Sequence, residues 1–417
     1  MQAYRYLLAL PGAPAMVAAG FLGRLPMSMR SLGCLLMVSA LTGSYALAGA
    51  AVAAFTLTQA AFSPALGRLA DNRGQGLVIL ASLVVHVCGV LGLVFLTRQE
   101  APAWALLVAA AVVGASALSL GPLVRARWTA LVKKAAQDDP DQPPDASAGT
   151  PGLSTAYALE SVLDEVIYVA GPALVTALAV GVAPEAGLLG ALVLVTVGSL
   201  ALAAQKSTEP TVARRSDTRG AAHLVGGVVR ERGMWVVVAV FAAFGAFLAA
   251  VDIGVVAFAR EQGSPAAAGL LLALVGAGSL VSGLAYGALP AGVGPGPRFL
   301  LSTLVLVVGA VPLCLANSVA LMAPCAAVAG LAISPTLISG YMLVESLVPP
   351  ESLTESFAWI SSAIAVGTAA GAAAGGPLAD SAGALGTFLL SAGAAAAALL
   401  INLAGRRSLR AAAGAGG

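Results

Sequence analysis

Gly67-Arg68-Leu69-Ala70-Asp71-Asn72-Arg73-Gly74 is a short polar stretch set between two long apolar segments. A worn copy, Gly287-Ala288-Leu289-Pro290-Ala291-Gly292-Val293-Gly294, begins 220 residues later in an equivalent setting. A glycine-framed loop that recurs between the second and third segments of a series divides the chain into two related halves. The copy has lost the acid, since Ala291 stands where the first loop has Asp71.

Composition explains the setting. The 417 residues are 59% hydrophobic and 10% charged, with a mean hydropathy of +0.94. Water-soluble domains carry about 25% charged residues, so this chain lacks the polar surface to cover itself in water. It is expected to be solvated by lipid, with many spans rather than several soluble domains. Cys34, Cys88, Cys314 and Cys325 lie singly in apolar stretches and read as small core residues rather than ligands or disulfide partners. The N-terminal region shows no signal-peptide cleavage pattern, because apolar sequence continues into further segments.

A helix needs about 20 apolar residues to cross a hydrocarbon layer of about 30 Å. On that scale the chain divides into twelve segments: 12–38, 45–66, 76–97, 102–124, 155–181, 184–204, 234–259, 265–288, 298–316, 318–344, 353–378 and 383–404. They are too long for barrel strands and lack a two-residue alternation, which leaves helix. Basic residues sort to one side. Arg68 and Arg73 fall between segments 2 and 3, and Arg125, Arg127, Lys133 and Lys134 between 4 and 5. Lys206, Arg214, Arg215, Arg219, Arg230 and Arg232 fall in the central loop, Arg298 between 8 and 9, and Arg406, Arg407 and Arg410 in the C-terminal tail. The other side receives Arg98 and Arg260. The positive-inside rule then places both termini in the cytoplasm. Residues 136–152 are acidic and rich in Pro, Gly and Ser, and 206–232 are basic; both read as surface segments. The expected organisation is a bundle at 1–205, a connector at 206–232 and a second bundle at 233–417.

The halves echo each other again at Glu160-Ser161 and Glu355-Ser356, which open segments 5 and 11. Segment 5 continues into Gly171-Pro172; segment 11 carries Gly367, Gly371 and Gly375 at four-residue spacing, then Gly376-Pro377. Small residues at that spacing serve close helix packing, or let spans 5 and 11 rock against neighbours.

With these motifs the chain resembles a major facilitator superfamily transporter over essentially its whole length. The first loop resembles that family's signature Gly-x-x-x-Asp-(Arg/Lys)-x-Gly-Arg-(Arg/Lys): Gly67, Asp71 and Gly74 match, whereas Asn72, Gln75 and Gly76 depart, leaving Arg73 as the nearby downstream cation. Gly171-Pro172 resembles part of the span-5 signature of the family's antiporters, with Val175-Thr176 in place of its closing glycine pair. The resemblance implies an all-α membrane fold of twelve helices in two pseudo-symmetric six-helix bundles. It also implies a gating role for the loop residues Gly67, Asp71, Arg73 and Gly74. Arg125 and Arg127, through a salt bridge to span 5, and Gly171 and Pro172, through rocking of span 5, are further gating candidates read from the residues themselves. The alternative for Asp71 is a cap on span 3.

Ionisable residues inside apolar segments cost at least about 2.5–3.5 kcal/mol each, which makes them the functional candidates. Arg24, near the middle of span 1, would attract an anionic group or pair with an acid on another helix. Arg30 suits the same role or snorkelling. Glu160 and Asp164 are four residues apart on one face of span 5, with Glu165 beside them. Crowded carboxylates favour proton uptake; the competing reading is a salt-bridge set with Arg125 and Arg127. Asp252 is isolated within span 7, about two turns from the outer-side pair Arg260 and Glu261, with no cation in its own span to neutralise it; it is a candidate proton site, or faces a hydrated outer vestibule. Glu345, Glu351 and Glu355 gather at the mouth between spans 10 and 11, with Glu355 the repeat partner of Glu160. His86 reads as a packing residue.

No phosphate-cradling loop, nucleophile triad or histidine-rich cluster appears, so no enzymatic activity and no cofactor is expected. The expected partners are a small-molecule substrate, protons as coupling ion and the lipid of an inner membrane, with no nucleic acid and a monomeric state. Three functions stay open: proton-coupled efflux of a partly apolar molecule, import of a nutrient by symport or facilitation, and a non-transporting scaffold or sensor.

Overall fold

The computed structural model describes residues 2–138, 151–210, 232–264, 267–288 and 294–413. Residues 139–150 of the acidic insertion and 211–231 of the connector, with Arg214, Arg215, Arg219, His223 and Arg230, lie outside them. So do 289–293 of the worn loop copy, including Ala291 and Gly292.

Among the described residues every regular element is helical. In a hydrocarbon layer that is the economical outcome, because a helix satisfies its backbone hydrogen bonds internally. The spans are Ala13–Thr42, Leu47–Arg73, Gln75–Arg98, Ala103–Ala135, Gly152–Gly181, Ala186–Ala204, Gly233–Glu261, Ala267–Gly287, Pro295–Leu315 and Val319–Leu347, here spans 1 to 10. The last apolar helix, Pro350–Leu409, has 60 residues. At 1.5 Å per residue it would run about 90 Å, three times the hydrocarbon thickness. It turns at Gly383, whose φ of 65° and ψ of −161° belong to no helix. Spans 11 and 12 are therefore 353–382 and 384–413, and the twelve expected spans stand.

Several spans run further than hydropathy marks. The polar stretch 67–73 is the end of span 2 rather than a loop, and only Gly74 breaks the chain before span 3. Its φ of 89° needs glycine, and its N–H closes the last turn onto the Ala70 carbonyl. Arg125 and Arg127, placed by hydropathy in the loop after span 4, lie within that span. Polar residues at these ends stay helical because the helix need not stop where the lipid does.

Spans 1, 4 and 10 are each two helices end to end, joined at Leu25, at 117–119 and at 331–332. Pro26 opens the second helix of span 1, where its missing N–H costs nothing. Broken helices inside a membrane free backbone groups near buried side chains.

Lipid gives helices no hydrophobic reason to associate, so close contact of small residues carries the packing. Span 11 lays Gly367 and Gly371 against Ala242 and Ala246 of span 7, where a Cβ on Gly371 would meet the Ala246 carbonyl at 2.6 Å. Span 6 sets Gly198 against span 1, where a Cβ would lie 2.8 Å from the Ala19 carbonyl. Gly171 of span 5 faces Ser28 of span 1, whose hydroxyl donates to the Ile167 carbonyl at 2.8 Å. These stripes join helices within a half. Apolar side chains such as Val180, Val169 and Leu400 point outward, as lipid contact requires.

Candidate functional site

The expected Arg24, Glu160 and Asp164 meet in one buried network. Arg24 Nη2 lies 2.6 Å from Glu160 Oε2, and its Nη1 donates to Asp164 Oδ1 at 2.9 Å. Arg125 Nη2 takes the other Asp164 oxygen at 2.6 Å, and Trp128 Nε1 donates to Glu160 Oε1 at 2.8 Å. The Arg24 Nε donates to the Gly20 carbonyl at 3.1 Å, one turn before the break in span 1. Two cations and two anions from spans 1, 4 and 5 thus balance. The four-residue spacing of the two acids does put them on one face, and both are turned to Arg24. Arg125 also carries its Cζ 4.2 Å from the Tyr341 ring of span 10, which ties the network to the other half. Tyr341 in turn packs edge-on to Phe357 of span 11 at 5.4 Å.

Arg127 does not join this set. Two residues along a helix turn a side chain by about 200°, so Arg127 faces away from Asp164. Its Nε donates to Gln75 Oε1 at 2.7 Å, and its Nη1 to the Gln205 carbonyl at 2.8 Å and Thr208 Oγ1 at 3.1 Å. Nearby, Glu209 accepts from the Gly76 N–H at 2.8 Å and from Lys206 at 3.0 Å. Burial pushes its carboxyl up, but those hydrogen bonds and the Lys206 and Arg127 charges outweigh it and hold it below the usual glutamate range.

A second cluster joins the halves at the end of the molecule that carries the basic residues. Asp71 does not cap span 3. Its carboxylate accepts the backbone N–H groups of Thr354 and Glu355, at 3.3 and 2.9 Å, and so caps span 11 of the opposite half. Helix N-termini present unpaired N–H groups and a positive dipole end, so a carboxylate there contributes about 0.3–1 kcal/mol. Gly67 lies one turn earlier on the same face; a Cβ there would come within 2.9 Å of the Thr354 carbonyl. The Glu355 carboxylate accepts from Arg68 Nε at 2.9 Å. Arg73, the cation picked out by the signature, is exposed. Lys133 pairs with Glu345 at 2.6 Å, Thr155 Oγ1 donates to the Gly287 carbonyl at 3.0 Å, and the Tyr4 hydroxyl of helix Gln2–Ala9 reaches the Leu284 carbonyl at 3.4 Å. Each of these contacts crosses between halves. At the opposite end, Arg98 pairs with Glu185, and Glu261 accepts the Ala384 N–H at 2.7 Å, both within a half.

Glu165 and Asp252 form a third group. Glu165 turns from span 5 toward span 8, where Ser279 hydrogen-bonds it and a Cβ on Gly276 would lie 3.6 Å from its Oε2. Ser279 is itself hydrogen-bonded to Ser334 at 2.9 Å. Asp252, exposed on span 7, is near enough to Glu165 for the two charges to repel. Among the described residues no cation pairs with either acid.

Arg68, Trp128, Lys133 and Tyr341 were not singled out from the sequence. Trp128 and Tyr341 look like ordinary aromatic filling in an apolar segment, and only the tertiary arrangement gives them polar partners. Arg68 was discoverable, since it sits in the motif one residue after Gly67.

Comparison with known proteins agrees with this architecture. Residues 236–413 match the family model described as Major Facilitator Superfamily. Among solved structures, a bacterial homologue of the iron transporter ferroportin in an outward-facing state superposes with a TM-score of 0.70 at 14% identity, covering 94% of this chain and 98% of that one. The E. coli fucose:proton symporter gives 0.70 at 14%, covering 94% and 97%. The human organic anion transporter TETRAN gives 0.67 at 15%, covering 94% and 100%. No match was found among curated protein sequences. With residues 236–413 matching the Major Facilitator Superfamily model and 94% of its length superposing on these solved structures, the chain shares their fold.

Proposed function

We propose that the chain moves a small, partly apolar molecule across a bacterial inner membrane by alternating access, exporting it in exchange for protons. The observation that carries this reading is the set of contacts between halves at the basic end, led by Asp71 on the first N–H groups of span 11. A contact of about 1 kcal/mol biases a two-state equilibrium several-fold without locking it. That is the strength a gate requires. The positive-inside rule makes this end cytoplasmic, so the described state is closed to the cytoplasm. Gly171 and Pro172, packed on span 1, are assigned to the motion of span 5 within that cycle.

Proton carriage falls to Asp252 and Glu165. Glu160 and Asp164 are already neutralised by Arg24 and Arg125, whereas Asp252 and Glu165 come from opposite halves, lie near enough for their charges to repel, and have no cation partner among the described residues. Taking up one proton relieves their repulsion, which links protonation to the approach of the halves. The fold relatives include a proton symporter and an organic anion transporter, so both proton coupling and a small organic cargo are compatible with this architecture. The partial Gly171-Pro172 pattern supports export.

Cells lacking the protein are expected to retain amphipathic dyes or antibiotics, and everted vesicles containing it to take them up on a pH gradient. Asp252→Asn and Glu165→Gln should each lower the gradient-dependent rate at least about tenfold while the protein still folds. Unchanged retention across a broad panel counts against export; full gradient dependence in both variants removes the proton assignment.

A further inference from the structure

Every buried arginine of the described N-terminal half except Arg30 has a charged or hydrogen-bonding partner. Arg24 and Arg125 face carboxylates, and Arg127 is bonded to Gln75, a carbonyl and a hydroxyl. Arg30 is 6% exposed, and its Nε has no hydrogen-bond partner. Among the described residues no carboxylate, carbonyl or hydroxyl bonds any part of its guanidinium.

Snorkelling does not relieve this charge. Arg30 lies eight residues before position 38, where the apolar segment ends, a rise of about 12 Å, still beyond the reach of an arginine side chain. Its surroundings are specific. Phe55 of span 2 covers the guanidinium, with Cζ 5.5 Å from the ring centre. A ring face attracts a cation but leaves the net charge in place. His86 of span 3, 3% exposed, is also close enough to feel the Arg30 charge. The imidazole is fixed through Nδ1, which lies 3.2 Å from the Val113 carbonyl and 3.3 Å from Ser116 Oγ of span 4. Ser116 Oγ–H is already committed to the Val112 carbonyl at 2.8 Å. Among the described residues, the groups near Arg30 therefore include an aromatic face and a second basic residue, and no anion.

A guanidinium keeps its proton under all ordinary conditions. At membrane depth it needs a counter-charge, and among the described residues none is supplied. We infer that Arg30, with Phe55 and His86 beside it, is a seat for a small monovalent anion inside the N-terminal bundle. Two sources offer that chemistry: a free halide, or the carboxylate of an organic molecule. The planar fork of Arg30 suits the two oxygens of a carboxylate, and its unpaired Nε is one of the donors available. This seat is separate from Asp252 and Glu165, so its test stands apart from that of proton coupling.

Thermal stability of the purified full-length protein in detergent, at fixed ionic strength, provides the test. Chloride and benzoate are each titrated against bulky gluconate. The unaltered protein should gain stability saturably with at least one of them, and the one that saturates identifies the source. Arg30→Gln should abolish the saturable gain, while Arg407→Gln, which alters an exposed cation, should keep it. Calorimetric titration of the unaltered protein with bromide and with benzoate reads the same site without any variant. Saturable heat for either anion, competed by the anion that stabilises, supports the seat. Absence of saturation in both experiments overturns it, as does an Arg30→Gln protein that folds and keeps the full gain.

Discussion

Arg24 and Arg30 are six residues apart in one span, yet among the described residues one is ion-paired to two carboxylates and the other to none. The difference lies in which neighbouring helices their faces meet: span 5 offers two acids to Arg24, while spans 2 and 3 offer a phenyl ring and an imidazole to Arg30. Removing one member of a buried ion set leaves its partner uncompensated, at about 3–5 kcal/mol. Arg24→Met is therefore expected to lower the unfolding temperature sharply. Glu160→Gln added to it should restore part of the loss, because the glutamine oxygen can still accept from Trp128 and one stranded charge is gone. Thermal unfolding of the single and double variants in detergent measures this, and a double variant no more stable than the single would refute the pairing as described.

At the scale of elements, the long final helix is governed by one residue. Gly383 adopts a conformation open essentially to glycine, and a Cβ there would also run into the Glu261 carboxylate that caps Ala384. Gly383→Ala should cost about 1–3 kcal/mol of stability. Gly376→Ala, in the same long helix where a Cβ meets nothing within 4 Å, should be neutral or slightly stabilising. Equal losses in the two would show that strain at the turn is not the cause. Elements were largely legible from hydropathy, since twelve apolar stretches of sufficient length leave helix as the one state lipid accepts. Their ends were not legible. Spans 2 and 4 continue through Arg68, Asp71, Arg125 and Arg127 because hydropathy records where lipid stops, and helices stop later. The breaks within spans 1, 4 and 10 were equally hidden.

For the whole molecule, pairings between distant helices decide function, and these a single sequence shows only in part. The face shared by Glu160 and Asp164 followed from their spacing, and so did their contest for a partner. That Arg125 rather than Arg127 answers them depends on helix rotation, which periodicity left open in so uniformly apolar a span. Asp71 was picked out by its motif, but its partner lies 283 residues away at Thr354. The second loop copy has Ala291 where the first has Asp71, so one substitution at Asp71 should weaken the carboxylate part of the clasp. Spin labels at Arg73 and Glu351 report the distance between halves at the basic end, with the protein in lipid nanodiscs. Two populations are predicted, with Asp71→Asn shifting weight several-fold toward the longer distance. A single unchanging distance in both proteins would contradict the account of this chain as an alternating-access transporter gated by Asp71.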